Sequence, residues 1–348
     1  MDYQLHRILP GETAAQQQLV ALLHQQNIRL DPHLEYTVGL YDGPRLAATG
    51  SFFGNTLRCL AVGQDYQGLG LLNTVVSHLV SELAQRQIFH LFVYTKGKNL
   101  PFFRDLGFYE ICRLEDSLVF LENRKGGFER YLSRLERETP PPASPACGAV
   151  VMNANPFTNG HRYLVEQAAA DCQTLHLFVV SEDRSAIPFP VRYRLVQEGV
   201  SGIPHVVLHQ TESYLISSAT FPSYFLRDSD EAIRMQAALD VEVFCRIAHR
   251  LRITRRFVGE EPFSHVTGIY NDVMAQRLRP TGIALTILPR LTQGDRPISA
   301  SAVRRLLAAE DFPALEQLVP PSTLAFFRSP EGAKIIEQLR QLGDTTHY

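Results

Sequence analysis

The chain has 348 residues, with 34 Lys+Arg against 36 Asp+Glu and a formal charge of −2. It is 45% hydrophobic and 20% charged, too apolar for intrinsic disorder and long enough for about two domains with separate cores. Near-neutral charge excludes a strongly basic nucleic-acid coat and an acidic tail, so no nucleic-acid partner is expected.

The cysteines, Cys59, Cys112, Cys147, Cys172 and Cys245, are odd in number, widely spread and free of C-x-x-C pairs. That pattern argues against a disulfide framework or a zinc ribbon, and no protein metal site is expected. Met1–Leu30 mixes charged and amide residues with short apolar runs, unlike a secretory leader. No stretch of about twenty apolar residues occurs that would span a bilayer. The expected compartment is a reducing cytoplasm, with no membrane partner.

In chain order, a helix is predicted over Thr13–Gln26, then strands over Tyr36–Tyr41, Arg45–Phe52 and Thr56–Val62. Asp42-Gly43 marks the hairpin turn between the first two strands. An amphipathic helix over Leu71–Arg86 precedes a strand over Ile88–Tyr94, a short helix over Leu100–Leu106, and strands over Phe108–Arg113 and Ser117–Leu121. Asn123–Glu138 is charged and helical in character. It leads to Thr139-Pro-Pro-Pro-Ala-Ser-Pro145, whose four prolines suit neither a helix interior nor a central strand. The predicted division is a first domain at 1–130, a Pro-rich linker at 131–146 and a second domain at 147–348.

Beyond the linker, strand and helix alternate. Strands are predicted over Ala149–Met152, Thr174–Val180, His205–His209, Arg256–Val258 and Ala284–Leu288. Helices are predicted over His161–Ala170, Arg192–Val200, Asp230–Arg250, Thr267–Arg279, Ser299–Ala309 and a C-terminal pair. This alternation implies right-handed crossovers around a mostly parallel sheet, with ligands at the carboxyl ends of the strands.

Two stretches carry phosphate chemistry. Asn153-Ala-Asn-Pro-Phe-Thr-Asn-Gly-His161 joins a buried strand to a helix start, where unpaired N–H groups and the helix dipole suit an anion. Asn155, Pro156, Phe157 and Gly160 shape that turn, Thr158 offers a hydroxyl and His161 a ring N–H. The bland alternative is an ordinary strand–turn–helix corner. Near the other end, Pro297-Ile-Ser-Ala-Ser-Ala-Val-Arg304 sets Ser299, Ser301 and Arg304 around a second helix start. By itself that is a common capped helix with an exposed Arg.

Together the two stretches resemble the T/H-x-G-H nucleotidyltransferase superfamily. Thr158-Asn-Gly-His161 matches its first signature, and Ile298–Arg304 its I-S-S-T-x-x-R signature, with Ser301 in place of the Thr. The resemblance implies a Rossmann-like parallel sheet that transfers a nucleotide from ATP, with Mg²⁺ bridging phosphate oxygens. His161, Thr158 and Arg304 are the expected catalytic groups. Arg184, Arg192 and Glu260 follow strands at the ligand edge and are further candidates, while Ser217–Phe225 and Val258–Pro262 are candidate site walls.

In the first domain, Asp65-Tyr-Gln-Gly-Leu-Gly-Leu-Leu72 precedes the long helix, and Tyr94–Phe108 follows later. The pair resembles the GNAT acetyltransferase fold, whose Q/R-x-x-G-x-G/A loop grips the coenzyme A pyrophosphate. Gln67 and Gly70 fit that loop, Gly68 between them is a further candidate for the same contact, and Leu72 stands where the motif has a small residue. The order of a GNAT-like α+β domain and a nucleotidyltransferase domain resembles the citrate (pro-3S)-lyase ligase family over nearly the whole chain. That resemblance implies activation of acetate by ATP to acetyl-adenylate, then acetylation of the thiol on the coenzyme A-like prosthetic group of the citrate lyase acyl carrier subunit. AMP and diphosphate leave. Two other readings stand beside it: an adenylyltransferase acting on a small phosphate ester, and an acyl-CoA-binding module without catalysis.

Overall fold

The computed structural model describes residues 2–115, 117–140, 147–181, 185–215, 221, 229–260, 265–294 and 296–342. Two compact units are distinguished. One comprises Met1–Arg130 with Thr220–Met235, the other Tyr131–Ala219 with Gln236–Tyr348.

The first unit contains β1 (Tyr3–Arg7), α1 (Thr13–Gln25), β2 (Tyr36–Asp42), β3 (Arg45–Phe53), β4 (Thr56–Val62) and α2 (Leu71–Gln85). It continues with β5 (Phe92–Thr95), α3 (Leu100–Asp105), β6 (Tyr109–Leu114) and β7 (Leu118–Glu122), and with the start of α4 (Gly127–Glu138). The strands form one mixed sheet in the order β1-β2-β3-β4-β5-β7-β6. Every neighbouring pair is antiparallel except β4 and β5. Helix α2 buries Leu71, Val75, Val76, Leu79 and Leu83, the i, i+4 stripe of an amphipathic helix, in the core beside Phe52, Leu57 and Val93.

Two local expectations shift. The strand predicted from Ile88 begins at Phe92, because the Asn123 side chain accepts from the Leu91 N–H at 2.8 Å and holds that segment outside the ladder. Strand β1 was not expected: Tyr3 and Leu5 give only two alternating apolar positions in five residues, and it is an edge strand with four of its five residues exposed.

The second unit contains β8 (Cys147–Met152), α5 (Asn159–Ala170), β9 (Thr174–Val179), α6 (Phe189–Val200) and β10 (Val206–Gln210). Then come most of α7 (Ser229–Leu251), β11 (Arg255–Gly259), α8 (His265–Leu278) and β12 (Ala284–Leu288). A short β13–β14 hairpin (Thr292–Gln293, Arg296–Pro297) leads to α9 (Ala300–Ala308), α10 (Phe312–Leu315), α11 (Pro321–Phe327) and α12 (Pro330–Leu342). Strands β10-β9-β8-β11-β12 form an all-parallel sheet in that order. The order reverses between β8 and β11, the place where a doubly wound sheet opens a crevice. The α+β and parallel α/β classes expected for the two domains are therefore both present.

Helix α4 runs to Glu138, so Tyr131–Glu138, placed with the linker from sequence, are helical. Within the second unit, Tyr131 donates its hydroxyl to the Gln210 carbonyl at 3.1 Å, and Arg134 pairs with Glu212 at 2.5 Å. Residues 141–146 lie outside the described residues.

Candidate active site

At the carboxyl end of β8 lies a cavity of about 400 Å³. Its wall takes Asn153, Asn155, Thr158, Gly160 and His161 from the β8–α5 turn, and Ser299, Ser301 and Arg304 from the start of α9. Gly259 and Arg290 reach it from the ends of β11 and β12. Gly160 makes the convergence possible. A Cβ there would stand 3.2 Å from the Ile298 carbonyl oxygen, so only glycine lets the two helix starts come this close without a shift.

Thr158 caps α5 in an extended conformation, and its hydroxyl accepts from the His161 N–H at 3.3 Å. The Thr158 backbone N–H donates in turn to His161 Nδ1 at 3.1 Å. This is a capping box with His in the place usually held by Glu or Gln. A backbone N–H is only a donor, so Nδ1 carries the lone pair and the neutral ring keeps its proton on Nε2. Burial, and then the Arg290 charge, push the His161 pKa down to about 4. At neutral pH His161 is an uncharged hydrogen-bond donor.

Ser299 caps α9, its hydroxyl accepting from the Ala302 N–H at 3.2 Å. Arg304 is buried and donates through Nη1 to the Asn155 carbonyl at 2.7 Å, while Nη2 lies 3.4 Å from the Ser301 hydroxyl. Residues 149 positions apart are thereby tied across the cavity floor. Asn155 is held at its other end too, its Oδ1 accepting from the Ile187 N–H at 3.1 Å.

Several sequence candidates play other parts. Phe157 is fully buried, stacks on the His161 ring at 5.9 Å and fills the space left by Gly199. It supports the histidine and has no surface for a ligand. Pro156, in a cis peptide with Asn155, also lies outside the cavity wall, where Asn155 and Thr158 flank it. Arg192, considered for the triphosphate, is fully buried and holds the carbonyls of Ile187, Asn153 and Val180 at 3.0, 2.6 and 2.9 Å. Its role is structural, because a guanidinium satisfies several buried carbonyls at once. Glu260 is exposed, and what it presents is its backbone: its carbonyl accepts from Arg290 Nε at 2.8 Å. Arg184 lies outside the described residues, as do 261–264 and, apart from the buried Phe221, all of 216–228. Arg290 was missed from sequence. The available signal was its position two residues beyond the last sheet strand, at the edge where ligands gather.

The first unit has its own cavity, of about 260 Å³. Strands β4 and β5 pair only at Thr56–Phe92 and Leu57–Val93, and the cavity lies where they part. Leu60, Leu72 and Phe102 line it with Gln67, Lys96 and Lys98. Gly68 and Gly70 have φ of 80° and 72°, and Gly70 is the residue immediately before α2. They shape the turn that carries Gln67, a conformation glycine adopts at little cost.

The model of the family described as citrate lyase ligase C-terminal domain matches residues 147–327. The chain is 37% identical over 341 residues to a citrate (pro-3S)-lyase ligase of Escherichia coli (strain K12), covering 96% of this chain and 95% of that one. It is 39% identical over 309 residues to one of Klebsiella pneumoniae, covering 87% and 90%. A solved putative acyl-CoA N-acyltransferase from Klebsiella pneumoniae is 16% identical, covering 34% of this chain and 95% of its own, with a TM-score of 0.29. On the family match and the near end-to-end identity to curated relatives, this chain belongs to the citrate lyase ligase family.

Proposed function

We propose that this protein uses ATP and acetate to form acetyl-adenylate, and then acetylates the thiol of the prosthetic group on the citrate lyase acyl carrier subunit. An acetate oxygen attacks the α-phosphorus, and the bond from that phosphorus to diphosphate breaks. The thiolate then attacks the acetyl carbon, and AMP departs with the bridging oxygen. The observation that carries this reading is the cavity wall itself. It brings a neutral His161 donor, two capped helix starts and the guanidinium groups of Arg290 and Arg304 together, with no carboxylate among its described residues.

Such a wall favours the charge that collects on the leaving diphosphate, and it does so with donors already in place before reaction. His161 donates from Nε2, the α5 and α9 starts offer backbone N–H groups, and Ser299, Ser301 and Arg304 face the same space. Among the described residues no cluster of three or more His, Cys, Asp or Glu stands ready for a metal. Mg²⁺ would be held chiefly by the phosphate oxygens of the nucleotide, hard ligands it prefers. The five cysteines are free thiols, which suits a reducing cytoplasm, and none lines the cavity. The reacting thiol then belongs to the carrier.

The first-unit cavity suits the prosthetic arm. Its walls mix the apolar Leu60, Leu72 and Phe102 with the polar Gln67, Thr95 and Asn99, as a chain of methylenes and amides requires, and Lys96 and Lys98 suit phosphates. ATP–diphosphate exchange with a panel of acids tests the whole reading. Acetate-dependent exchange is expected. Exchange that needs a phosphate ester instead of acetate would assign the site to an adenylyltransferase, and no exchange with any acid would leave only binding.

A further inference from the structure

We propose that Asn153 holds the carboxylate of the acid substrate, donating from its side-chain Nδ2 to one oxygen while the other oxygen attacks. The assignment rests on the adenylating reading above and names the acceptor side of that same cavity.

Asn153 is the first residue beyond β8 and stands half-buried in the cavity wall. Both of its oxygens are engaged: the carbonyl accepts from Arg192 Nη1 at 2.6 Å, and Oδ1 accepts from the Ser185 hydroxyl at 3.2 Å. The side chain is thus anchored at its acceptor end. Nδ2, with two N–H donors, is what it has left to offer a ligand. The anchor is fixed in turn. The Ile187 N–H donates to Asn155 Oδ1 at 3.1 Å and the Ile187 carbonyl accepts from Arg192 Nε at 3.0 Å, so 185–187 is latched to Asn153 and Asn155 together. A donor held in this way is in position before the acid arrives.

The reaction sets what such a donor can do. In-line displacement at the α-phosphorus puts the attacking oxygen and the departing diphosphate on opposite sides of that atom. The α5 and α9 starts carry Gly160, His161, Ser299 and Ser301 into the cavity wall, whereas Asn153 sits at a strand end, on neither helix. The nucleotide and the acid are therefore offered donors from separate elements. An amide also suits a nucleophile. Its N–H makes a charge-assisted bond to a carboxylate, strong enough to hold a small acid. It brings no cation that would draw charge from the attacking oxygen.

The test is acetate-dependent ATP–diphosphate exchange, with calorimetric titration by ATP alone, for the full native chain, Asn153→Leu and Asn153→Asp. Leu removes donor and acceptor at similar size. Asp keeps the acceptor that anchors Ser185 and replaces the donor with a carboxylate oxygen. Asn153→Leu should raise the KM for acetate by about 10- to 100-fold and change ATP affinity by less than about threefold. Asn153→Asp should raise that KM at least as far, because two carboxylates then face each other. A residue that served only to anchor Ser185 would give the reverse order, with Asp near native. An acetate KM for Asp within about twofold of native, or equal losses for acetate and ATP in Leu, overturns the assignment. If Asn153→Leu does not fold, Asn153→Asp decides: a loss for acetate that exceeds the loss for ATP supports the contact, and equal losses overturn it. Native protein without acetate-dependent exchange sinks the acetate reading and this assignment together. Native exchange with an unaltered acetate KM in both variants sinks the assignment alone.

Discussion

The Thr158 backbone N–H donates to Nδ1 of His161 at 3.1 Å, and the Thr158 hydroxyl accepts from the His161 N–H at 3.3 Å. This reciprocal pair makes a helix cap into a tautomer lock. A residue whose first duty is to end unpaired N–H groups also dictates which ring nitrogen carries the proton.

Replacing His161 with Gln should separate those duties. Gln is a usual partner in a capping box, so the fold should persist while ATP–diphosphate exchange falls by about 100-fold or more. His161 has its pKa at about 4, below the ordinary 6.5. Its neutral form therefore dominates above pH 5, and this group should add no pH dependence between 6 and 8. A folded Gln variant with near-native exchange would remove His161 from the chemistry.

A buried pair of histidines governs acid stability. His176 and His209 are buried side by side on β9 and β10, Nδ1 to Nε2 at 3.1 Å. Burial lowers His176 to about 4; burial, His176 and Arg134 lower His209 to about 3. Both folded values lie below 6.5, so the unfolded chain binds more protons from pH 6.5 downward. Stability is then full above pH 6.5 and declines as pH falls through about 4, by at least about 2 kcal/mol in total. Melting curves of a His176→Leu/His209→Leu double variant should show a flatter decline. An unchanged slope would refute the attribution.

Arg192 is predicted to be a stability residue. Arg192→Met strands the carbonyls of Asn153, Val180 and Ile187 without their donor. Buried groups left in that state cost about 1–3 kcal/mol each. Chemical denaturation should read a loss of about 3 kcal/mol or more. A variant of native stability with weaker ATP binding would return Arg192 to the ligand set.

In the first unit, Gly70→Asp places a side chain and a negative charge at a position of φ 72° beside the cavity turn. The KM for the carrier protein should rise by about tenfold or more, with acetate-dependent exchange unchanged. An unaltered KM would detach the Gln67–Gly70 turn from carrier recognition.

Much of this was legible in the chain because short-range rules wrote it. Buried parallel strands such as Thr174–Val179 read as continuous apolar runs, and Thr158 and Ser299 read as caps because a hydroxyl before a helix has few other uses. Strand β1 was illegible because two alternating apolar residues in a five-residue edge strand are too short a pattern, and the late start of β5 because the side chain that bonds the Leu91 N–H, Asn123, is 32 residues away.

Residue types at spacings of three or four determined both helix starts and the signatures they carry, since those contacts lie within one turn of the chain. Only the folded sheet decided that Arg192 is internal, that Phe157 backs His161, that Glu260 acts through its carbonyl, and that Arg290 joins the wall. Each of those outcomes depends on which buried carbonyl or cavity lies within a few ångströms. That distance is set by strand order across the β8–β11 crevice, and spacing along the chain carries no record of it.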